Sequence, residues 1–201
     1  MGMFKIAFVL GSLFIAIHSL SQPAEKVIPI PKTAADCSGA IKIVDEYGPV
    51  INTVGFGTMA EASDRYELIP FLHKGEYHPV WFRFTAESSG ELELIIKSVN
   101  PQDDYNFLLY SSPGPWFCNV FKNELVNEPL RANRSSADQG IGLTGVNKAG
   151  TEERAAIDAP SAFCKSLSVN RGDAFYLFVD SEIREQSGFK VILSIKSSSG
   201  Q

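Results

Sequence analysis

The sequence predicts an all-β chain folded as a single antiparallel β-sandwich of jelly-roll type, and three observations carry that reading. Apolar and polar residues alternate with a period of two in several short segments, as in Glu91-Leu92-Glu93-Leu94-Ile95-Ile96-Lys97. Successive side chains of a strand point to opposite faces, so this period is that of a half-buried strand. The segments are divided by turn formers such as Ser88-Ser89-Gly90 and Asn170-Arg171-Gly172-Asp173, residues that tight backbone turns favour. No stretch longer than about ten residues keeps a 3.6-residue apolar period, so helix is a minor component. Short strands, frequent turns and one-sided alternation together indicate a sandwich.

Taken in order, Met1 to Ser21 has the layout of a secretory signal peptide. A single Lys5 precedes the apolar run Ile6 to Ile17, and the small residues around Ser19-Leu20-Ser21 offer a cleavage site before Gln22. The run is too short to span a bilayer comfortably, which takes about 20 residues. Residues 22–36 form an extended N-terminal segment with prolines at 23, 29 and 31. The sandwich is expected over 37–196, with 197–201 as a tail.

Within it, Ala40-Ile41-Lys42-Ile43-Val44 reads as a first strand closed by a turn at Tyr47-Gly48-Pro49. Pro79 to Thr85 has the aromatic and β-branched character of a second. Glu91 to Lys97 follows, and Tyr105 to Tyr110 is entered from the turn Asn100 to Asp104. Both faces of Ala174 to Val179 are apolar, which places the strand Ala174 to Asp180 centrally. In the last strand Phe189, Val191, Leu193 and Ile195 share one face, opposite Lys190, Ser194 and Lys196. Between Ser111 and Ser161 runs one long loop region rich in Gly, Asn, Ser and charge. Such a segment in a compact domain is functional or carries small strands of its own.

The 201 residues carry a formal net charge of -5. That argues against nucleic acid, which wants a basic face, and no Lys/Arg cluster suits an anionic membrane surface. No second long apolar segment follows the leader, so no transmembrane segment is expected in the mature chain. Three cysteines, Cys37, Cys118 and Cys164, imply one disulfide and one leftover thiol in an oxidising compartment, with the pairing open. Of three histidines His18 falls in the leader, leaving His73 and His78. With no nucleophile-elbow sequence either, a non-catalytic role is expected.

Asp103 and Asp104, with Asn106 and Asp180, are the candidate calcium ligands. Calcium takes several oxygen ligands in flexible geometry, and adjacent carboxylates favour a cation nearby; the alternative is an Asx-type turn into the strand. Trp116 and Phe117, joined by Arg131 and Asn133, are candidate ligand-binding residues on a loop rim. Exposed aromatics bind sugar rings or protein partners through rigid apolar area; packing against the sandwich is the plain alternative. Glu76, His78 and Trp81 could form an active-site cluster, against packing of the histidine beside a core tryptophan. Arg171-Gly172-Asp173 spells an adhesion tripeptide where a tight turn is needed, and Asn133-Arg134-Ser135 matches a glycosylation acceptor.

The order of several motifs adds a resemblance. Gly55-Phe56-Gly57, Glu76, His78, Val80 to Ala86, Gly90-Glu91-Leu92, Asp103 to Tyr110 and Phe117-Cys118 come first. Pro129 to Asn133, Thr144-Gly145 and Tyr176 to Asp180 follow. The series resembles a secreted β-sandwich module of Bacteroidetes envelope proteins, often found before OmpA-like domains. It is similar in layout to pre-peptidase C-terminal and jelly-roll adhesion modules. Asn106 stands where that module commonly has a third acid, and Ser181 where it has Asn. No OmpA-like domain follows Lys196, so the resemblance implies the module alone. It also implies association with the envelope or cell surface.

The expected function is therefore a binding or adhesion module at the bacterial cell envelope, in the periplasm, at the outer-membrane surface or outside the cell. Its partner would be an envelope protein or a glycan, with Ca2+ as a candidate stabilising ion. The alternatives are a structural accessory subunit of an envelope or secretion complex and a glycan-acting hydrolase.

Overall fold

In a computed structural model of the chain, described over residues 25–58, 61, 77–123, 128–135, 140–181 and 185–197, the alternating segments become strands of two facing sheets. The expected signal peptide, His73 and Glu76 lie outside the described residues. In chain order the strands are β1 (Ile28–Pro29), β2 (Ile41–Lys42), β3 (Glu46–Ile51), β4 (Val80–Thr85), β5 (Gly90–Ser98) and β6 (Asn106–Ser111). Then come a helix α1 (Phe117–Lys122) and β7 (Arg131–Asn133), β8 (Leu143–Asn147), β9 (Arg154–Ala155) and β10 (Phe163–Lys165). β11 (Leu167–Val169), β12 (Ala174–Asp180) and β13 (Phe189–Lys196) complete the chain.

Sheet A runs β1-β3-β13-β5-β8-β10, with β11 also paired to β5; sheet B runs β2-β4-β12-β6-β7-β9. The all-β sandwich is as expected, and β12 is central, flanked by β4 and β6. The expectation of purely antiparallel sheets needs correction. β1 lies parallel to β3, β2 to β4, β7 to β9 and β8 to β10. The cause is the chain path. At both flanks consecutive strands alternate between the sheets, so the chain returns to a sheet two strands later in the same direction. The crossover a parallel pair requires is here a strand of the opposite sheet rather than a helix. The turn expected at Tyr47-Gly48-Pro49 is also absent: these residues lie inside β3. The 111–161 segment carries α1 and the short strands β7, β8 and β9.

The period of two sorts the side chains. Phe82, Phe84, Leu92, Leu94, Ile96, Phe107, Leu109, Leu177, Phe189 and Val191 interdigitate between the sheets. Each such side chain contributes about 1.5–3 kcal/mol relative to exposure. Phe84 stacks on Phe175 at 5.1 Å between centroids, and Phe82 meets Phe189 edge-on at 6.0 Å.

A second cluster sits on the outer face of sheet B: Trp81, Leu108, Tyr110 and Phe178 from the strands, Phe117 and Phe121 from α1, and Cys37. Phe117 and Phe121 are four apart, so they share the face of α1 turned to the sheet. A disulfide joins Cys37 to Cys118 across a separation of 81 residues and staples this lid down; Cys164 is free and buried. Among the described residues no helix is long and apolar enough to cross a membrane.

Candidate functional site

The outward residues of β4 and β12 change character along the strands. Under α1 they are Trp81 and Phe178, both fully enclosed; past the lid they are Arg83, Thr85, Tyr176 and Ala174. Register aligns them: Lys42 stands opposite Arg83, Arg83 opposite Tyr176, and Tyr176 opposite Tyr110. Directly opposed residues project from the same face. A row therefore crosses four strands of sheet B, two cations followed by two phenols. Tyr176 is held flat by Phe117, whose ring stacks on it at 4.4 Å with an interplanar angle of 16°.

Tyr110 is covered by α1, and the first three members of the row, Lys42, Arg83 and Tyr176, floor a cleft of three joined cavities. The first, about 330 Å³, lies between the disulfide and Tyr176. The second, about 300 Å³, shares Arg83, Pro115 and Tyr176 with it. The third, about 450 Å³, shares Lys42 and Thr85 with the second and ends at Arg171 and Gly172. Ser112, Gly114 and Pro115 form one wall, pinned by mutual bonds between Ser112 and Gly114: the hydroxyl donates to the Gly114 carbonyl at 3.0 Å and accepts its N–H at 3.3 Å. Gly114 has φ of +142°, and a Cβ there would come within 3.1 Å of the Trp116 indole. The indole thus packs back on Gly114 while remaining 55% exposed.

Lys42 and Arg83 are both exposed, and among the described residues no acidic side chain lines the first two cavities. A cavity of about 340 Å³ on the outer face of sheet A is different. Its Lys190 is already neutralised by Glu25 at 2.6 Å and Glu46 at 2.9 Å.

Of the four rim residues expected from the sequence, Trp116 alone faces solvent. Phe117 is fully buried, and Arg131 and Asn133 are buried as well. Arg131 donates from Nε to the Lys165 carbonyl at 2.7 Å, from Nη2 to that of Ser166 at 2.9 Å and from Nη1 to that of Leu130 at 2.7 Å. Its fork sews sheet B to the β10–β11 junction. The Asn133 amide donates to the Ser161 carbonyl and accepts the Ser135 N–H at 2.6 Å, so the sequon side chain is enclosed. Cys164 donates its thiol to the Ala132 carbonyl at 3.0 Å, and burial pushes its pKa up to about 11, far from reactive thiolate behaviour.

The acids gather at one end of the sandwich, where Asp180 stands opposite Asn106 in the β6–β12 pair. Oδ2 of Asp103 accepts the Ser187 N–H at 2.7 Å and its hydroxyl at 2.5 Å. Oδ1 of Asp180 accepts the N–H groups of His78 at 2.7 Å and Ser181 at 2.9 Å, and Oδ2 that of Tyr77 at 3.2 Å. The Ser181 hydroxyl donates to the Asp104 carbonyl at 2.9 Å. The carboxylates of Asp103 and Asp180 therefore tie loops together. Among the described residues no group of three or more His, Cys, Asp or Glu side chains is placed to hold a metal ion. Burial raises Asp180 to about 6 in spite of its three N–H donors.

Trp81 belongs to the outer core rather than to a cavity, with Phe178 and Phe121 edge-on at 5.1 and 5.2 Å. Arg171-Gly172-Asp173 is a tight turn: Gly172 has φ of +97°, and Asp173 accepts the Asn170 N–H at 2.8 Å. Sequence reading missed Lys42, Arg83 and Tyr176. The available signal was the polar pair Arg83 and Thr85 within the otherwise apolar β4, but it gains meaning only from the cross-strand register.

Comparisons with protein-family models, curated proteins and solved structures return no match.

Proposed function

We propose that this protein is a non-catalytic extracytoplasmic binding module of the bacterial cell envelope, and that it seats a saccharide in the sheet B cleft. One observation carries the reading: a cleft floored by the stacked Tyr176 and by Arg83 is walled by Gly114 and Pro115, and the exposed indole of Trp116 packs against Gly114. Flat apolar rings flanked by hydrogen-bond donors suit the alternating C–H and hydroxyl faces of sugars. The signal-peptide pattern and the Cys37–Cys118 bond support an oxidising compartment.

The accessory-subunit reading is weaker because the sheet edges β1, β2, β9 and β10 are only two or three residues long. Edges this short offer little for strand addition. The hydrolase reading needs two convergent carboxylates, and among the described residues none lines the two cavities beside Pro115.

The chain has two tryptophans, and Trp81 is fully buried, so collisional quenching reports on Trp116. Soluble polysaccharide extracted from envelopes is expected to shield Trp116 from iodide, and Trp116→Ala is expected to weaken retention on that polysaccharide about tenfold. Unchanged quenching with a fully folded protein would overturn the reading, and release of reducing ends would replace it with the enzyme.

A further inference from the structure

We infer that the occupant of this cleft is an acidic saccharide chain bearing carboxylates, of the polyuronate class, gripped by Arg83 and Lys42. The inference rests on the binding role proposed above and deepens it. Lys42 and Arg83 are opposed on neighbouring strands and both exposed. Like charges directly opposite destabilise a strand pair, and neither has an acidic partner among the described residues, whereas Arg131, Arg154, Lys190 and Lys196 each have one. A chain of net charge -5 has carboxylates to spare, yet among the described residues none lines the two cavities that Arg83 lines, and Glu87 alone lines the third, which Lys42 shares. An anion arriving from outside would relieve the repulsion.

The spacing selects the anion. Strands lie about 4.8 Å apart, so the row runs from Lys42 through Arg83 to the Tyr176 ring within one sugar unit or two. The cations are distributed along the cleft: Arg83 in the first and second cavities, Lys42 in the second and third, Arg171 at the far end. Sparse positive charge beside flat rings fits a polymer with about one carboxylate per sugar. A sulfated glycan or a nucleic acid carries more charge than the cleft neutralises, and the surplus would face a net-negative protein. The planar Arg83 fork matches a carboxylate in a bidentate pair, Tyr176 supplies a flat surface for a sugar face, and the exposed Trp116 packs on the wall residue Gly114. Glu87, at the end of the third cavity beside Arg171, limits how far an anionic chain extends that way.

The test uses the mature chain with three probes: polygalacturonate oligomers, neutral dextran and dextran sulfate, read by iodide shielding of Trp116 and by affinity electrophoresis. Polygalacturonate is expected to shield Trp116, more weakly as salt is raised. Arg83→Gln and Lys42→Gln should each cost roughly tenfold in affinity, the size of a lost charge-assisted contact, while the thermal midpoint of the free protein does not fall and rises slightly as the repulsion between the two cations is removed. Arg83→Lys should recover part of the loss. Equal binding of dextran, tighter binding of dextran sulfate, or full affinity in both glutamine variants would overturn the inference while leaving a saccharide-binding module in place. Failure of all three probes to shield Trp116 would also overturn it, and shielding by extracted envelope polysaccharide would then show separately whether the binding role survives.

Discussion

Removing the Cys37–Cys118 bond by the double substitution Cys37→Ala/Cys118→Ala tests how the lid over sheet B is held. The bond closes a loop of 81 residues, from the N-terminal 3-10 turns to α1. In the chain-entropy account a loop of that length is worth about 4.5 kcal/mol at 25 °C. Packing adds a smaller amount, because Cys37 is buried within the outer cluster while Cys118 is half-buried at its edge. For a chain of this size the loss corresponds to a fall in Tm of roughly 9–18 °C. Urea unfolding of the wild type and the double variant gives the number directly, and hydrogen exchange shows where it is spent.

If the bond acts on the whole fold, amides throughout β4, β6 and β12 exchange faster by a common factor. If it acts only on the lid, the change is confined to α1, where the Val120 N–H donates to the Trp116 carbonyl at 3.0 Å. A six-residue helix does not persist alone in water, so a released α1 would also expose Phe117 and Phe121. A loss below about 1 kcal/mol, no larger than an ordinary point substitution, would refute the loop-entropy reasoning.

Four further outcomes follow from the geometry. Asp180 titrates at about 6 in the fold against 3.8 ordinarily, so its native form binds a proton more tightly than the unfolded form. Its contribution is complete below pH 3.8 and is lost as pH rises through about 6, about 3 kcal/mol in all; urea midpoints should show the wild type gaining on Asp180→Asn between pH 7 and 4, and a constant difference would contradict this. Phe121→Ala should cost about 3–5 kcal/mol in unfolding free energy, since the ring is fully buried and meets Trp81 at 5.2 Å and Tyr110 at 5.3 Å. Arg131→Lys should cost about 2 kcal/mol, since a single ammonium cannot serve carbonyls of Leu130, Lys165 and Ser166 in the fork's geometry, and saccharide affinity should stay unchanged. A chelator is expected to leave Tm where it is, because the Asp103 and Asp180 carboxylates already accept protein donors; a clear fall in Tm would bring back a stabilising cation.

The long strands were legible because burial on one face imposes a period of two. Leu92, Leu94 and Ile96, or Phe189, Val191 and Leu193, announce themselves without any partner. β1, β2, β9 and β10 were not legible, since a strand of two or three residues holds no period and exists only through its neighbour's hydrogen bonds. The parallel pairs were hidden for the same reason. Residue type also misled at the rim. Phe117 reads as a loop aromatic until its spacing to Phe121 is combined with a sheet beneath, and Arg131 reads as a surface charge until the carbonyls of Lys165 and Ser166, more than thirty positions away, arrive to meet it. Asp103 and Asp104 suggested a cation from sequence, but Ser187, which occupies Asp103, is likewise distant in the chain.

The same long-range register that hid the cleft also explains its position. Sheet B presents one continuous outer face, and α1 covers only part of it. Where the lid lies, β4, β6 and β12 project Trp81, Leu108 and Phe178; two residues further along β4, past the lid, stands Arg83. Phe117 and Tyr176 straddle that boundary, one in the lid and one in the floor, stacked at 4.4 Å. The packing that closes the outer core therefore also fixes the plane of the ring offered to a ligand. Loosening the lid should accordingly weaken binding, the more so because Cys118 and Asn119 of α1 line the first cavity. The double cysteine variant connects the two readings: at a temperature where it is fully folded, its saccharide affinity should fall with α1 protection, and an affinity indifferent to that protection would separate the site from the lid.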